Sequence, residues 1–283
     1  MLSPSLRFVL AALLAACACA AAAAARLPLV TMQDGEATLL RDGARFALAE
    51  GVRLQAGDLI ATGAQARLLR IEFPAGPGFA LGPDSRAMLL PNLGDDGMRA
   101  GVYLLSGWVK LATPAGVPGA IRSAAADADT TGGTLILCVQ AGLAQAFAES
   151  GPSRVQPRAA GQGEQSLKSG ETLTLQPGAK PVLAKGVSPA FVQAMPRSFM
   201  DTLPLRAASF AADVPPRRLG AMAYADAQPW IDAEAPLRQV FAVRWRRLAA
   251  DPRFRGALVA GLKSHPEWTP VLYPPVHASQ PAH

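Results

Sequence analysis

Aromatic side chains are scarce, 6% of 283 residues, and cysteine and histidine number three each. So few large rings point to sheets packed by Val, Leu and Ala and broken by many turns. Two of the cysteines, Cys17 and Cys19, sit in an apolar N-terminal run, which leaves Cys138 as the one thiol beyond it. A single thiol closes no internal disulfide. Its neighbours in residues 134–139 (TLILCV) are apolar, the setting of a buried strand position rather than of a reactive thiolate. Of the histidines, His277 and His283 fall in the terminal tail, and only His265 lies in a patterned region. The run His265-Pro266-Glu267 begins like the H-x-E of a zinc deaminase, but the required P-C-x-x-C never follows. His265 is expected instead at the end of a helix opened by Pro252, with Pro266 stopping that helix and Trp268 packing back. No G-x-S-x-G elbow, P-loop or G-x-G-x-x-G is present, and a Ser-His-Asp triad would have to recruit His265. No metal and no cofactor are expected.

Acidic residues are absent before Asp34, while Arg7 precedes an apolar run over residues 8–25. This is the pattern of a secretory signal over residues 1–25, and the abundance of alanine favours cleavage over retention as a membrane helix. Two processing readings stay open. Ala23-Ala24-Ala25 before Arg26 suits ordinary signal peptidase, whereas Leu14-Ala15-Ala16-Cys17 has lipoprotein spacing and makes Cys17 the candidate lipidation site. The expected location is the periplasm, or the outer membrane if Cys17 is lipidated, with membrane contact only through an uncleaved signal or a lipid anchor. The net charge of +6 fits an anionic partner, but most of the 27 Lys and Arg are Arg, a plain compositional bias. Export argues against nucleic acid as a partner.

Over residues 30–183, short extended runs alternate with Gly, Pro, Asn and Asp. Residues 36–40 and 45–48 flank Asp42-Gly43, a strong hairpin turn. In 66–73, Leu69, Ile71 and Phe73 share one face and Arg70 and Glu72 the other, which predicts an antiparallel sheet with one wet face. Further strands are expected at 79–81, 87–90, 102–105, 108–111, 134–139, 144–148 and 170–175, and residues 152–166 are expected to form a mobile loop. Many short strands favour a sandwich, barrel or solenoid. From 184 to 276 the period changes to helical. Helices are expected at 189–194 and 226–233, then over 237–250, where Leu237, Val240, Phe241, Trp245 and Leu248 form the apolar face, and again after Asp251-Pro252. Residues 277–283 read as a disordered tail.

Residues 35–38 (GEAT), 41–43 (RDG), 54–63 (LQAGDLIATG), 81–85 (LGPDS) and 105–109 (LSGWV) resemble, in order and spacing, the periplasmic domain of the FecR family. The resemblance spans about 30–183. Beyond Pro114 the family's Arg-Gly-Thr signature is replaced by residues 121–125 (IRSAA). It implies stacked antiparallel strands and a binding or regulatory module facing protein partners rather than an enzyme. Iron-uptake regulators of the family carry a cytoplasmic segment that holds a sigma factor. This chain has no room for one before its signal, so direct sigma-factor control is not expected.

The chain is therefore expected to be a non-catalytic envelope protein, with a FecR-like β domain at 30–183 and a small helical domain at 184–276. It would bind a periplasmic or outer-membrane protein or act as a scaffold. One alternative is recognition of a cell-wall or capsular polysaccharide, for which Tyr103 and Trp108 are the candidate contacts, with core packing as their plainer role. Another is a hydrolase built on Asp34, Asp42, Asp58, Asp84 and Asp95-Asp96, each of which turn chemistry explains more simply. Arg244, Arg246 and Arg247 beside Trp245 are candidates for an anionic lipid or polysaccharide, against the plainer reading of a solvated helix face.

Overall fold

The computed structural model describes residues 27–74, 76–90 and 100–274, so the processing sites at Cys17 and Ala25, the pair Asp95-Asp96 and the tail from 277 lie outside the described residues. The described chain packs as two units, one of residues 27–39 and 47–217 and one of 40–46 and 218–274. In chain order the strands are β1 (Leu29–Asp34), β2 (Ala37–Arg41), β3 (Ala44–Ala47), β4 (Leu59–Thr62), β5 (Leu68–Glu72), β6 (Gly78–Leu81), β7 (Arg86–Leu89), β8 (Ala100–Ala112), β9 (Pro118–Arg122), β10 (Ala126–Thr131), β11 (Thr134–Gln140), β12 (Leu143–Ser150), β13 (Ser153–Pro157), β14 (Gln165–Leu167), β15 (Glu171–Leu175), β16 (Val182–Lys185) and β17 (Arg217–Ala221). The helices are α1 (Pro189–Ala194), α2 (Tyr224–Ile231), α3 (Ala235–Arg244), α4 (Pro252–Ala260) and α5 (Thr269–Leu272). The protein is thus mainly β, followed by a small helical region.

Two sheets make up the first unit. One runs β1-β5-β6-β8-β11-β12-β15-β16, antiparallel throughout. The other runs β2-β4-β7-β8-β9-β10-β13-β14, and from β4 onward its pairs are antiparallel except where β9 lies parallel to β8. Successive hairpins alternate between them: β5-β6 joins the first sheet, β9-β10 the second, β11-β12 the first, β13-β14 the second and β15-β16 the first. The inward residues of the first sheet, among them Leu69, Ile71, Phe79, Leu81, Leu111 and Leu137, are wholly buried. The δ-carbons of Leu111 reach across to Gly119 on β9, so the sheets share one core in a sandwich.

Strand β8 belongs to both sheets. Its first half pairs with β7 and β9, its second with β6 and β11. The sequence pattern predicts two strands parted by Ser106-Gly107; the chain instead makes one bent strand and changes sheet at Gly107. That residue has φ 93°, and a Cβ there would stand 2.5 Å from the Cα and Oγ of Ser85. Only glycine fits such a corner. The expected Asp42-Gly43 turn is present, with both residues at positive φ (51° and 72°).

The outward face of the first sheet is not wet. Arg70 and Glu72 are buried, because residues 187–209 run across that face as a strap. Helix α1 begins the strap, capped by Ser188, whose Oγ accepts the Phe191 N–H at 3.1 Å, with Pro189 at its first position. Phe191 and Phe199 then pack on Leu68, Trp108, Ile136 and Cys138. The division between the two units falls at 217/218, so α1 and the strap belong with the β unit.

Residues 152–166 hold strand β13 and the start of β14 rather than a loop throughout. Ser153, Val155 and Pro157 point inward while Arg154 and Gln156 point out, and β13 pairs with β10, whose alanines are the inward residues. A polar strand opposite Ala-Asp-Ala-Asp carries almost no apolar signal, which is why its periodicity was not visible.

The second unit gathers three of the four tryptophans. Trp230, Phe241, Trp245, Phe254, Leu258 and Trp268 are buried together with α2, α3 and α4, and Phe241 stacks on Trp245 at 4.4 Å. The buried stripe of α3 is Phe241 and Ala242, continued by Trp245; Val240, expected on the apolar face, is 54% exposed. Asp251 caps α4 as expected, accepting the N–H groups of Arg253 and Phe254 at 2.9 and 3.0 Å.

Candidate docking edge and basic face

The covered face of the first sheet is built around one carboxylate. Glu72, 1% exposed, pairs through Oε1 with Arg70 Nε at 3.0 Å and accepts the Thr31 hydroxyl at 3.0 Å. Its Oε2 accepts the backbone N–H groups of Arg206 and Ala207, each at 2.8 Å. A buried charge is tolerated when its lone pairs are filled in this way. Burial pushes the Arg70 guanidinium below its ordinary pKa, an effect opposed by Glu72 and reinforced by Arg206. Farther along the strap, Lys110 pairs with Glu149 Oε2 at 2.8 Å and donates to the Phe199 carbonyl, and the Ser198 hydroxyl donates to the Arg67 carbonyl at 2.7 Å. The sequence showed Arg70 and Glu72 as an outward pair; it carried no sign that a segment more than 130 positions away would close over them.

Both candidate sugar contacts are in the interior. Tyr103 and Trp108 are each 3% exposed, and Trp108 meets Phe191 of the strap edge-on at 5.2 Å between ring centres. Neither ring can stack on an external sugar. Cys138 lies in the same cluster, and burial pushes its thiol up to about 12. The described carboxylates each serve their own neighbourhood: Asp34 pairs with Arg67 at 2.8 Å, Asp42 and Asp84 occupy positive-φ turn positions, and Asp58 accepts the Gln55 N–H at 2.7 Å. This is turn chemistry.

At the other end of the first sheet, β16 is an open edge among the described residues. It pairs with β15 on one side, and all four of its residues are exposed, including Val182 (60%) and Leu183 (47%). Gly186 donates its N–H inward to the Gly170 carbonyl at 2.7 Å. By antiparallel alternation, Val182 and Ala184 direct their backbone groups to β15, whereas Leu183 and Lys185 direct theirs outward. Lys180 and Pro181 precede this edge and Lys185 ends it.

In the second unit, Arg244, Arg246 and Arg247 are all exposed, and with Asp42 and Gly43 they line an open concavity of about 430 Å³. Trp245, read with them from the sequence, is turned into the core. Arg244 lies over the Phe241 ring at 6.0 Å. Among the described residues, no ion pair engages Arg246 or Arg247. His265 does not cap α4, which ends at Ala260 with Gly261 as its cap. It is buried, its Nε2 is 3.1 Å from Asp232 Oδ1, and its Nδ1 has no partner. Trp268 does pack back, against Phe254. Among the described residues no group of three or more His, Cys, Asp or Glu is placed to hold a metal ion.

No family model matches the chain, and no curated protein matches it. Among solved structures, it is similar to two crystal structures of a "putative anti-sigma factor" from Parabacteroides distasonis ATCC 8503. One is 14% identical over 41% of this chain with a TM-score of 0.36; the other is 14% identical over 48% with a TM-score of 0.40. The chain spans 55% and 64% of those two proteins. Likeness at this level assigns neither family nor function.

Proposed function

We propose that this chain is a FecR-like, non-catalytic binding protein of the cell envelope, exported by its N-terminal segment, which holds a periplasmic or outer-membrane protein by taking a strand of that partner onto β16. The observation that carries this reading is the open edge with exposed Val182 and Leu183. An unpaired strand edge offers a row of backbone donors and acceptors, and apolar side chains beside it add specificity. Lys180 and Lys185 bracket that edge, so they repel a second copy laid alongside and favour a partner strand with acidic flanks. A protein is preferred to a polysaccharide because the aromatic rings that a sugar would need at Tyr103 and Trp108 are buried.

The test is photo-crosslinking in intact cells with a photoreactive residue at Lys185, combined with Leu183→Pro. Proline at 183 removes an outward donor while sparing the inward bonds to β15. The expected result is one dominant envelope-protein adduct that disappears in Leu183→Pro, with the unfolding transition unchanged. An adduct that persists undiminished beside proline removes strand addition as the mode of binding.

A further inference from the structure

We infer that the second unit carries a surface for anionic phospholipid, independent of the β16 edge and of the N-terminal segment. On α3, Val240, Val243 and Arg244 fall at i, i+3 and i+4, and Arg246 and Arg247 lie exposed in the 3-10 turn Arg246–Ala250 that follows the helix. The three α3 positions form one outward face, opposite the buried Phe241 and Ala242. Val243 is 67% exposed and Val240 54%, so two β-branched apolar side chains stand in water beside Arg244, and Val243 shares a concavity with Arg246 and Arg247. A solvated helix face made only for solubility has no need of them. An apolar centre with a cationic rim is the composition of a helix that lies in the headgroup layer of a bilayer.

Charge complementarity selects the anionic kind of lipid. The second unit has ten Lys and Arg against six Asp and Glu, a surplus of four that is most of the chain's +6. Four of its six acids are occupied elsewhere: Asp226 pairs with Arg45 at 3.3 Å, Glu267 with Arg238 at 2.9 Å, Asp232 with His265 at 3.1 Å, and Asp251 caps α4. Arg246 and Arg247 are left with no carboxylate among the described residues, and Asp42 is the one acid lining their concavity. Guanidinium groups bind phosphate oxygens in a fork, and each one near an anionic bilayer adds a roughly fivefold gain in binding.

The test uses the full chain with Cys17→Ser and Cys19→Ser, leaving buried Cys138 in place, and an environment-sensitive fluorophore attached at Val243→Cys. Vesicles of phosphatidylcholine alone are compared with vesicles of equal parts phosphatidylcholine and phosphatidylglycerol. The N-terminal segment is itself apolar and cationic, with Arg7 and Arg26, so the response assigned to the α3 face is the part lost when Arg246 and Arg247 are removed. The expected result is a blue-shifted, brighter emission with phosphatidylglycerol only, reversed by high salt. Arg246→Gln with Arg247→Gln, which breaks no described contact, should weaken that response by about thirtyfold in lipid concentration. Circular dichroism should show both variants folded. An equal response with phosphatidylcholine alone, the same response to inorganic phosphate without vesicles, or no effect of removing the two arginines overturns the inference.

Discussion

Replacing Glu72 by glutamine should loosen the strap and lower the stability of the first unit well beyond what one lost ion pair on a surface costs. The substitution keeps the shape and removes one acceptor oxygen. In the native protein one oxygen faces the Arg70 guanidinium and the Thr31 hydroxyl and the other faces two backbone N–H groups, so every approach to the carboxylate is a donor. Whichever way the amide turns, its NH2 meets N–H groups, and Arg70 stays buried without a counter-charge. Removing one partner of a buried pair costs about 3–5 kcal/mol. For a unit of this size that corresponds to a fall of about 6–20 °C in the melting transition. Thr31→Val, which removes one neutral bond, should cost about 1 kcal/mol. Calorimetry reads the global effect. The strap itself is read at Cys138, in a chain with Cys17 and Cys19 changed to serine: its modification by a thiol reagent in native buffer should accelerate in Glu72→Gln, because Phe191 and Phe199 no longer stay over it. A loss below about 1 kcal/mol, the worth of an exposed pair, together with an unchanged thiol rate, would refute the idea that Glu72 fastens the strap.

Three further outcomes are expected. Gly107→Ala forces a side chain into positive φ and against the backbone of Ser85, and should lower the stability of the first unit, read by urea unfolding, by about 1–2 kcal/mol or more. Phe199→Ala empties a wholly buried site beneath the strap and should cost about 3–5 kcal/mol in the same assay. With its thiol at about 12, Cys138 holds less thiolate than a free cysteine at every pH below that value, so alkylation followed by mass spectrometry should be slow at neutral pH and rise only in strong alkali.

Much of the architecture was legible because local rules and tertiary packing agree. The Asp42-Gly43 turn, the alternation through Leu69 and Ile71, Ser188 and Pro189 at the start of α1, and Asp251 at the cap of α4 all act within a few residues of themselves. What stayed hidden depends on partners distant in sequence. Strands β10 and β13 are specified by facing each other, with alanine and serine inward, and neither has a pattern that stands out alone. Burial of Arg70 and Glu72 depends on residues 206 and 207. The candidate contacts divided the same way: Tyr103 and Trp108 sit on strands where period alone does not tell an exposed ring from one under a strap, while Arg244, Arg246 and Arg247 are exposed because the aromatic residues between and before them define the inside.

The late position of the strap has a bearing on how the chain matures. Synthesis delivers residues in order, and the hairpins can join the sandwich one after another as they emerge. The groups that seal Glu72 arrive 134 and 135 positions after it. Until then a charged pair and a tryptophan stand bare on a nearly finished sheet. The nascent protein therefore presents, for as long as that stretch takes to be made, a surface that the mature protein has withdrawn.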